Sequence, residues 1–216
     1  MKLMGVPLSP FVRKVAVVMA IKGLEYEAQP VMPGDASEAF RALSPLGKIP
    51  VLVDGDFSVA DSSAICEYLE EKYPQHSVMP QGAEERARAR FLEEIGDTRL
   101  VETASIIFIE KFANPTIFGK EADLERAAEA EHELLPPYLN YLESQVPPEG
   151  YLFGDFTTAD ISIVTPIFNA AYGGYSVDAA RWPKYAAFVD RVAEHPAVIQ
   201  VREAEQQFVT AMASSS

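Results

Sequence analysis

The amino-acid sequence predicts an α/β domain at the start of the chain, followed by an all-helical domain. Hydrophobic residues make up 48% and charged residues 23% of the 216 residues, which is typical of a globular protein that buries a core. Early in the chain, short apolar runs of strand character alternate with helical segments. After a linker that contains Pro74, Pro80 and Gly82, only long helical segments follow. We place the two domains at residues 1–78 and 84–216.

The predicted secondary-structure elements of the first domain follow in the order β-α-β-α-β-β-α. Its seven elements are predicted at residues 2–6, 10–22, 25–31, 37–43, 50–53, 57–60 and 61–73. Gly23 ends the first helix, because glycine commonly follows the last helical turn. Asp54-Gly55-Asp56 is a hairpin turn signal between the last two strands. Pro74 ends the final helix, because proline cannot continue it.

Five helical segments are predicted in the second domain, at residues 84–112, 121–146, 157–171, 183–194 and 197–212, before a frayed tail at 213–216. Pro136 and Pro137 are expected to bend the second segment. Six residues of the first segment fall on one helical face by their spacing: Phe91, Ile95, Thr98, Ser105, Ile109 and Phe112.

A capping box is predicted in this second domain, where Thr157 and Asp160 have the required spacing at the start of a helix. Phe156 and Ile161 flank it as a hydrophobic staple. Gly154 turns the chain just before the box. We assign this motif to folding.

Charge and composition exclude several classes of function. The formal net charge is −14, of which −3 falls on residues 1–80, so a nucleic-acid backbone would be repelled. His76, His132 and His195 stand far apart without a second ligand at helical spacing, and we expect no metal site. The longest apolar run, residues 15–21, is far shorter than the about 20 residues of a membrane span.

Cysteine usage and the first residues indicate the compartment. The chain does not open with a basic region followed by an apolar one, so we expect no secretory signal. Cys66 is the single cysteine, and an intramolecular disulfide is impossible. A reducing cytoplasm is therefore expected. Cys66 stands among apolar residues of a predicted helix, and we expect it to be buried and inert.

Ser9 stands directly before Pro10, where the first strand gives way to the first helix. Serine is a favoured helix cap and proline suits the first helical position, so a purely structural role is one interpretation. The other is chemical, because a hydroxyl at the positive end of a helix can stabilise an anion such as a thiolate. The sequence leaves both open.

Two further motifs are consistent with ordinary structural roles, and the second also has a functional interpretation. Pro45 and Pro50 bracket Lys48 directly before a strand, which is consistent with an ordinary turn. Asp61 and Ser62 begin the third helix, where both residue types are good caps. The functional alternative for this pair is a polar recess in which the carboxylate binds an ammonium group.

Taken in order, these motifs resemble those of the glutathione transferase family. The resemblance rests on Ser-Pro-Phe-Val-Arg-Lys-Val after a strand, Gly-Lys-Ile-Pro-Val-Leu, Asp-Ser-x-Ala-Ile-x-x-Tyr-Leu, and the box at Thr157 and Asp160. It covers essentially the whole chain. It implies a thioredoxin-like first domain, an all-α second domain, a homodimer, and a detoxification enzyme that uses glutathione as co-substrate and no metal.

The resemblance also implies a role for individual residues. Ser9 matches the catalytic serine, and Lys48 lies near the tripeptide. Ile49 matches the residue whose backbone pairs with the cysteinyl part of glutathione, and Pro50 the family's cis-proline. The pair that holds the γ-glutamyl end corresponds to Asp61 and Ser62, although Asp61 is one methylene shorter than the commoner Glu. A second-substrate pocket would come from Phe11, Phe108, Lys111 and Tyr172.

Thiolate activation needs no metal or base in this arrangement. Lowering a thiol pKa of about 8.5 by two units requires roughly 2.7 kcal/mol. A hydrogen bond to a charged acceptor supplies about 1.5–3 kcal/mol, and a helix N-terminus up to about 2 kcal/mol. The strongly negative helical domain is a poor host for an anionic substrate and favours a small, neutral or weakly polar electrophile.

Two alternatives remain open on the same scaffold. One is a glutathione-dependent peroxidase or disulfide reductase, against which the hydroxyl of Ser9 argues. The other is a non-enzymatic adaptor that resembles the stringent starvation protein A type. Such an adaptor would need neither Ser9 nor the pair formed by Asp61 and Ser62.

Overall fold

The computed structural model describes residues 1–213, so residues 214–216 of the expected tail lie outside it. Two compact units make up the described chain. The first consists of residues 1–78 together with the last helix, and the second of residues 79–195.

The first unit has the predicted order of strands and helices. Its elements are β1 (Lys2–Met4), α1 (Pro10–Ile21), β2 (Glu27–Gln29), α2 (Glu38–Leu43), β3 (Val51–Asp54), β4 (Phe57–Ala60) and α3 (Ser62–Lys72). The strands form one mixed sheet in the order β2-β1-β3-β4. β1 pairs in parallel with β2 and antiparallel with β3, and β3 and β4 form the hairpin.

The core of this unit lies between the sheet and its helices. Val15 and Met19 of α1 are fully buried, as are Leu52 of β3 and Leu69 of α3. α1 ends where expected, with Gly23 at a φ of 66°, a conformation that costs glycine little. α1 therefore packs against the core of this unit, and Ser9 of the first motif caps its start.

The last helix, α11 (Pro196–Ala213), groups with the first unit, whereas we expected it in a helical domain of residues 84–216. Val201 and Phe208 pack against the core of the first unit. Glu205 also forms an ion pair with Arg13 of α1 at 2.7 Å. Nothing in the sequence pattern distinguishes this amphipathic helix from those before it.

The second unit is helical, as predicted. Its helices are α4 (Ala83–Ile95), α5 (Val101–Phe108), α6 (Leu124–Glu129), α7 (Pro136–Gln145), α8 (Thr158–Ser162), α9 (Thr165–Tyr172) and α10 (Pro183–Ala193). Wider, π-helical turns continue α4, α5 and α6 at Gly96–Leu100, Ile109–Phe118 and Ala130–Leu134.

Helix boundaries and faces in this unit differ from the prediction in two places. The segment expected as one helix over 157–171 breaks between α8 and α9, where the Tyr185 hydroxyl donates to the Ile163 carbonyl. Phe91 and Ile109, which the spacing assigned to one helical face, are both exposed. The fully buried positions nearby include Leu100. The π-helical turns alter the spacing on which the prediction relied.

The capping box forms as predicted. The Asp160 carboxylate accepts the Thr157 backbone N–H at 2.7 Å and the Thr157 hydroxyl at 2.6 Å. It also accepts the Leu152 N–H at 2.8 Å. Burial nonetheless raises the pKa of Asp160 to about 6, because desolvation outweighs these hydrogen bonds.

Candidate active site

Ser9 is the N-cap of α1, as one of its two interpretations required. Its Oγ accepts a hydrogen bond from the Val12 N–H at 3.4 Å, and the residue is 9% exposed. Pro10 occupies the first helical position. Because Oγ is the acceptor in this bond, the hydroxyl proton is not used by it. Capping therefore leaves Ser9 able to donate to an anion at the same helix end.

Gly5 brings the loop before α1 close to the motif that contains Ile49. Its φ is 147°, and a Cβ atom there would lie 2.5 Å from Val12 Cγ2 and 3.3 Å from Ile49 Cβ. A side chain at this position would separate the two motifs. Sequence reasoning missed Gly5, although a glycine inside a predicted strand is the signal that could have identified it.

The Ile49–Pro50 peptide bond is cis, which agrees with the match of Pro50 to the family's cis-proline. Ile49 lies just before β3, and none of the backbone hydrogen bonds outside the helices and strands of residues 1–213 involves it. Its backbone groups therefore remain available for an extended ligand.

Ser44 holds the preceding turn in place. Its hydroxyl donates to the Lys48 carbonyl at 2.8 Å and accepts the Lys48 N–H at 3.0 Å. The Lys48 side chain is exposed. Sequence reasoning gave Ser44 no role, and its burial at 1% exposure was not predictable from a turn sequence.

Asp61 caps α3 in a sparsely populated backbone conformation, with φ 83° and ψ 128°. Its Oδ1 accepts the Ser63 N–H at 3.0 Å and the Ala64 N–H at 3.1 Å. Such strain costs about 1–3 kcal/mol and is concentrated at ligand sites. The side chain is exposed, whereas Ser62 beside it is 4% exposed.

Lys14 connects the starts of the two helices that carry these motifs. Its side chain is fully buried, and Nζ donates to the Ser63 Oγ at 3.1 Å. Phe11, in the first turn of α1, is half-buried. Cys66 is 4% exposed within α3, as expected for a buried cysteine. The first unit thus contains Ser9, Ile49, Asp61 and Ser62, and Lys14 links the helix that Ser9 caps to the start of the helix that Asp61 caps.

The other predicted pocket residues form a group of their own in the second unit. Phe108, Phe112 and Tyr172, here called the aromatic cluster, have ring centroids 5.0–6.3 Å apart. Lys111 belongs to the same helical stretch as Phe108 and Phe112, and its Nζ lies 2.7 Å from a carboxylate oxygen of Glu131. Sequence reasoning missed Glu131, which lies 20 residues away.

Over residues 1–213, no group of three or more His, Cys, Asp or Glu side chains is placed to hold a metal ion. Within the same residues, no helix is both long and apolar enough to cross a bilayer.

Comparison with known proteins identifies the relatives of this chain. The family model of the glutathione S-transferase N-terminal domain matches residues 3–77, and that of the C-terminal domain matches residues 108–204. Maleylacetoacetate isomerase of Pseudomonas aeruginosa is 31% identical over 203 residues, 89% of this chain and 91% of that protein. Glutathione S-transferase 3 of Zea mays is 32% identical over 204 residues, 91% and 90% of the respective chains.

A solved structure agrees with this relationship. The crystal structure of a glutathione S-transferase from Rhodospirillum rubrum F11 matches with a TM-score of 0.82 and 30% identity, over 93% of this chain and 90% of that one. The predicted thioredoxin-like and helical architecture and the predicted class of enzyme are both confirmed. The chain belongs to the glutathione S-transferase family.

Proposed function

We propose that this protein binds glutathione, stabilises its thiolate with the Ser9 hydroxyl and the N-terminus of α1, and conjugates it to a small, neutral electrophile. The observation that carries the proposal is the geometry of Ser9. Its Oγ caps the helix as an acceptor, and its proton is left for an incoming sulfur.

The remaining parts of glutathione have matching groups in the first unit. The Ile49 backbone would pair with the cysteinyl part, since it has no backbone partner outside the regular elements of residues 1–213. Asp61 caps the helix through Oδ1. Its Oδ2 would accept a hydrogen bond from the ammonium group of the γ-glutamyl part. Ser62 would bind the adjacent carboxylate, and the exposed Lys48 lies near the tripeptide.

The chemical step needs only these residues. Ser9 donates a hydrogen bond to the sulfur, and the partial positive charge at the start of α1 adds to it. The thiolate then attacks an electrophilic carbon, a C–S bond forms, and a leaving group departs with its electron pair. Ser9 is not consumed, and proximity accounts for much of the remaining acceleration.

Isomerisation is a second candidate, because the Pseudomonas relative is a maleylacetoacetate isomerase. A thiolate that adds to a carbon–carbon double bond and leaves again after rotation would isomerise it, and the same Ser9 geometry would serve. Peroxidase or disulfide reductase activity is disfavoured, because Ser9 cannot form a mixed disulfide and Cys66 is buried in α3. A purely adaptor role leaves the strained cap at Asp61 unexplained.

We further propose a homodimer in a reducing cytoplasm. Several large apolar side chains of the second unit are exposed in the single chain, including Phe91 and Tyr141, whose rings contact edge to face. An association surface would cover such residues. Light scattering at micromolar concentration should give twice the mass of 23.7 kDa.

Calorimetric titration with glutathione tests the proposed function most simply, followed by turnover assays with a chlorodinitrobenzene, a hydroperoxide and an activated cis-alkene. We expect saturable glutathione binding and conjugation of the chlorodinitrobenzene. Turnover of only the hydroperoxide would favour the redox alternative, and turnover of only the alkene would favour isomerisation. Absence of glutathione binding would favour the adaptor and contradict the proposal.

A further inference from the structure

Lys14 is a lysine whose side chain is fully buried in the first unit. An ammonium group is costly to take out of water, so a buried one needs polar partners. One of them is Ser63 in the first turn of α3, whose Oγ accepts a hydrogen bond from Lys14 Nζ at 3.1 Å. Lys14 belongs to α1, the helix that Ser9 caps. The bond therefore joins the helix of the residue proposed to bind the sulfur to the start of α3.

Ser63 also holds the side chain of Asp61. Its backbone N–H donates to Asp61 Oδ1 at 3.0 Å, and the Ala64 N–H donates to the same oxygen at 3.1 Å. Ser63 thus bonds Lys14 through its side chain and Asp61 through its backbone. The direction of the Asp61 carboxylate is set by the start of α3, and Lys14 fixes that start against α1.

The backbone of Asp61 needs support from both sides. Its φ is 83°, and such a conformation persists only where the surrounding structure imposes it. On the N-terminal side, Ala60 of β4 pairs with Val51 of β3, which fixes the chain to the sheet. On the C-terminal side, the bond between Lys14 and Ser63 fixes it to α1. Loss of this second support would free the Asp61 carboxylate to turn while the sheet and the helix remain.

We propose that Lys14 is a positioning residue for glutathione: through Ser63, it holds the Asp61 carboxylate where it accepts the ammonium group of the γ-glutamyl part. This inference rests on the proposed function and adds a residue to the same site. Because the Lys14 side chain is buried, it acts on the ligand through Ser63 and Asp61. Its loss should lower the affinity for glutathione and leave the pKa of the bound thiol unchanged, since Ser9 is not altered.

Calorimetric titration of Ser63→Ala with glutathione tests the inference. This substitution removes the acceptor of the Lys14 bond and keeps the backbone N–H that bonds Asp61. The affinity for glutathione should fall about fivefold, as expected for the loss of one hydrogen bond. The affinity for a glutathione analogue that lacks the α-amino group should not change. Ser63→Thr keeps a hydroxyl and should bind both ligands as the wild type does.

Further variants separate positioning from a general loss of stability. The matched control is Ser77→Ala, because the Ser77 hydroxyl donates to the Glu70 carboxylate in the last turn of α3. It should destabilise the first unit and leave the affinity for glutathione unchanged. Lys14→Met should reproduce the loss seen in Ser63→Ala. Adding Ser63→Ala to Asp61→Asn should cause no further loss, since both substitutions weaken the same contact.

Several results would overturn the inference. They are an unchanged glutathione affinity in Ser63→Ala or in Lys14→Met, an equal loss for the analogue or in Ser77→Ala, and a full additional loss in the Asp61→Asn background. If the wild type does not bind glutathione, the proposed function itself fails. If the wild type and Asp61→Asn bind glutathione equally, the inference alone is overturned, because the role of Ser9 does not depend on that contact.

Discussion

Arg13 and Glu205 form a buried ion pair although 192 residues separate them in the sequence. Arg13 Nε and one terminal nitrogen each donate to a Glu205 carboxylate oxygen at 2.7 Å, and the side chains are 0% and 1% exposed. The Arg13 N–H also bonds the Ser9 carbonyl at 2.9 Å. The last helix is thus fixed to the first turn of α1, the turn that presents Ser9.

Glu205→Gln should destabilise the first unit strongly. The substitution leaves the Arg13 guanidinium buried without a counter-charge, and loss of one partner of a buried pair costs about 3–5 kcal/mol. Urea unfolding measures the change in the free energy of unfolding. Glu203→Gln on the same helix is the control, because Glu203 is exposed. Equal stabilities for the two variants would contradict the importance of the pair.

Asp61→Asn should separate capping from ligand binding. Asparagine is an equally good cap and tolerates a positive φ, so the unfolding free energy should change little. Loss of the charge should weaken glutathione binding roughly 10- to 150-fold, because the ammonium contact is charge-assisted. A glutathione analogue without the α-amino group is the control ligand, and its affinity should be nearly equal for both proteins. Unchanged glutathione affinity in the variant would rule out this contact.

Asp160 should make stability depend on pH in an unusual direction. Burial raises its pKa from 3.8 to about 6 in the folded state. Between these pH values the Asp160 carboxyl is protonated in the folded protein and ionised in the unfolded chain. Its contribution to the free energy of unfolding is therefore fully present below about pH 4 and is lost as the pH rises to about 6.

Comparison with Asp160→Asn isolates this contribution. The stability of the wild type relative to the variant should fall by up to about 3 kcal/mol across this pH range. Chemical unfolding at several pH values measures the difference. A difference that is constant with pH, or one that grows as the pH rises, would contradict the raised pKa.

Local sequence signals were enough to predict the order of elements in the first unit. Gly23, the Asp54-Gly55 turn and Pro74 act through neighbouring backbone, and each ended or turned an element as expected. Ser9 and Asp61 were likewise predicted as caps. A prediction of capping does not show which atoms of the two side chains take no part in the capping bonds and can bind a ligand.

Features that depend on distant contacts were not predictable. The break between α8 and α9 involves the Tyr185 hydroxyl, which lies 22 residues from its acceptor at Ile163. The pairing of Lys111 with Glu131 was not predictable, because Glu131 belongs to a different helical stretch. The place of α11 in the first unit depends on the pairing of Glu205 with Arg13.

The central claim is that Ser9 stabilises the glutathione thiolate, and the pKa of the bound thiol tests it most directly. Ultraviolet absorbance of the thiolate, titrated against pH, should give a value well below about 8.5 in the wild type. In Ser9→Ala it should rise by about one to two pH units, since one charge-assisted hydrogen bond is lost. Ser37→Ala is the matched control, because Ser37 caps α2 by the same kind of bond. An unchanged pKa in Ser9→Ala, with only the loss of stability that Ser37→Ala also shows, would contradict the claim.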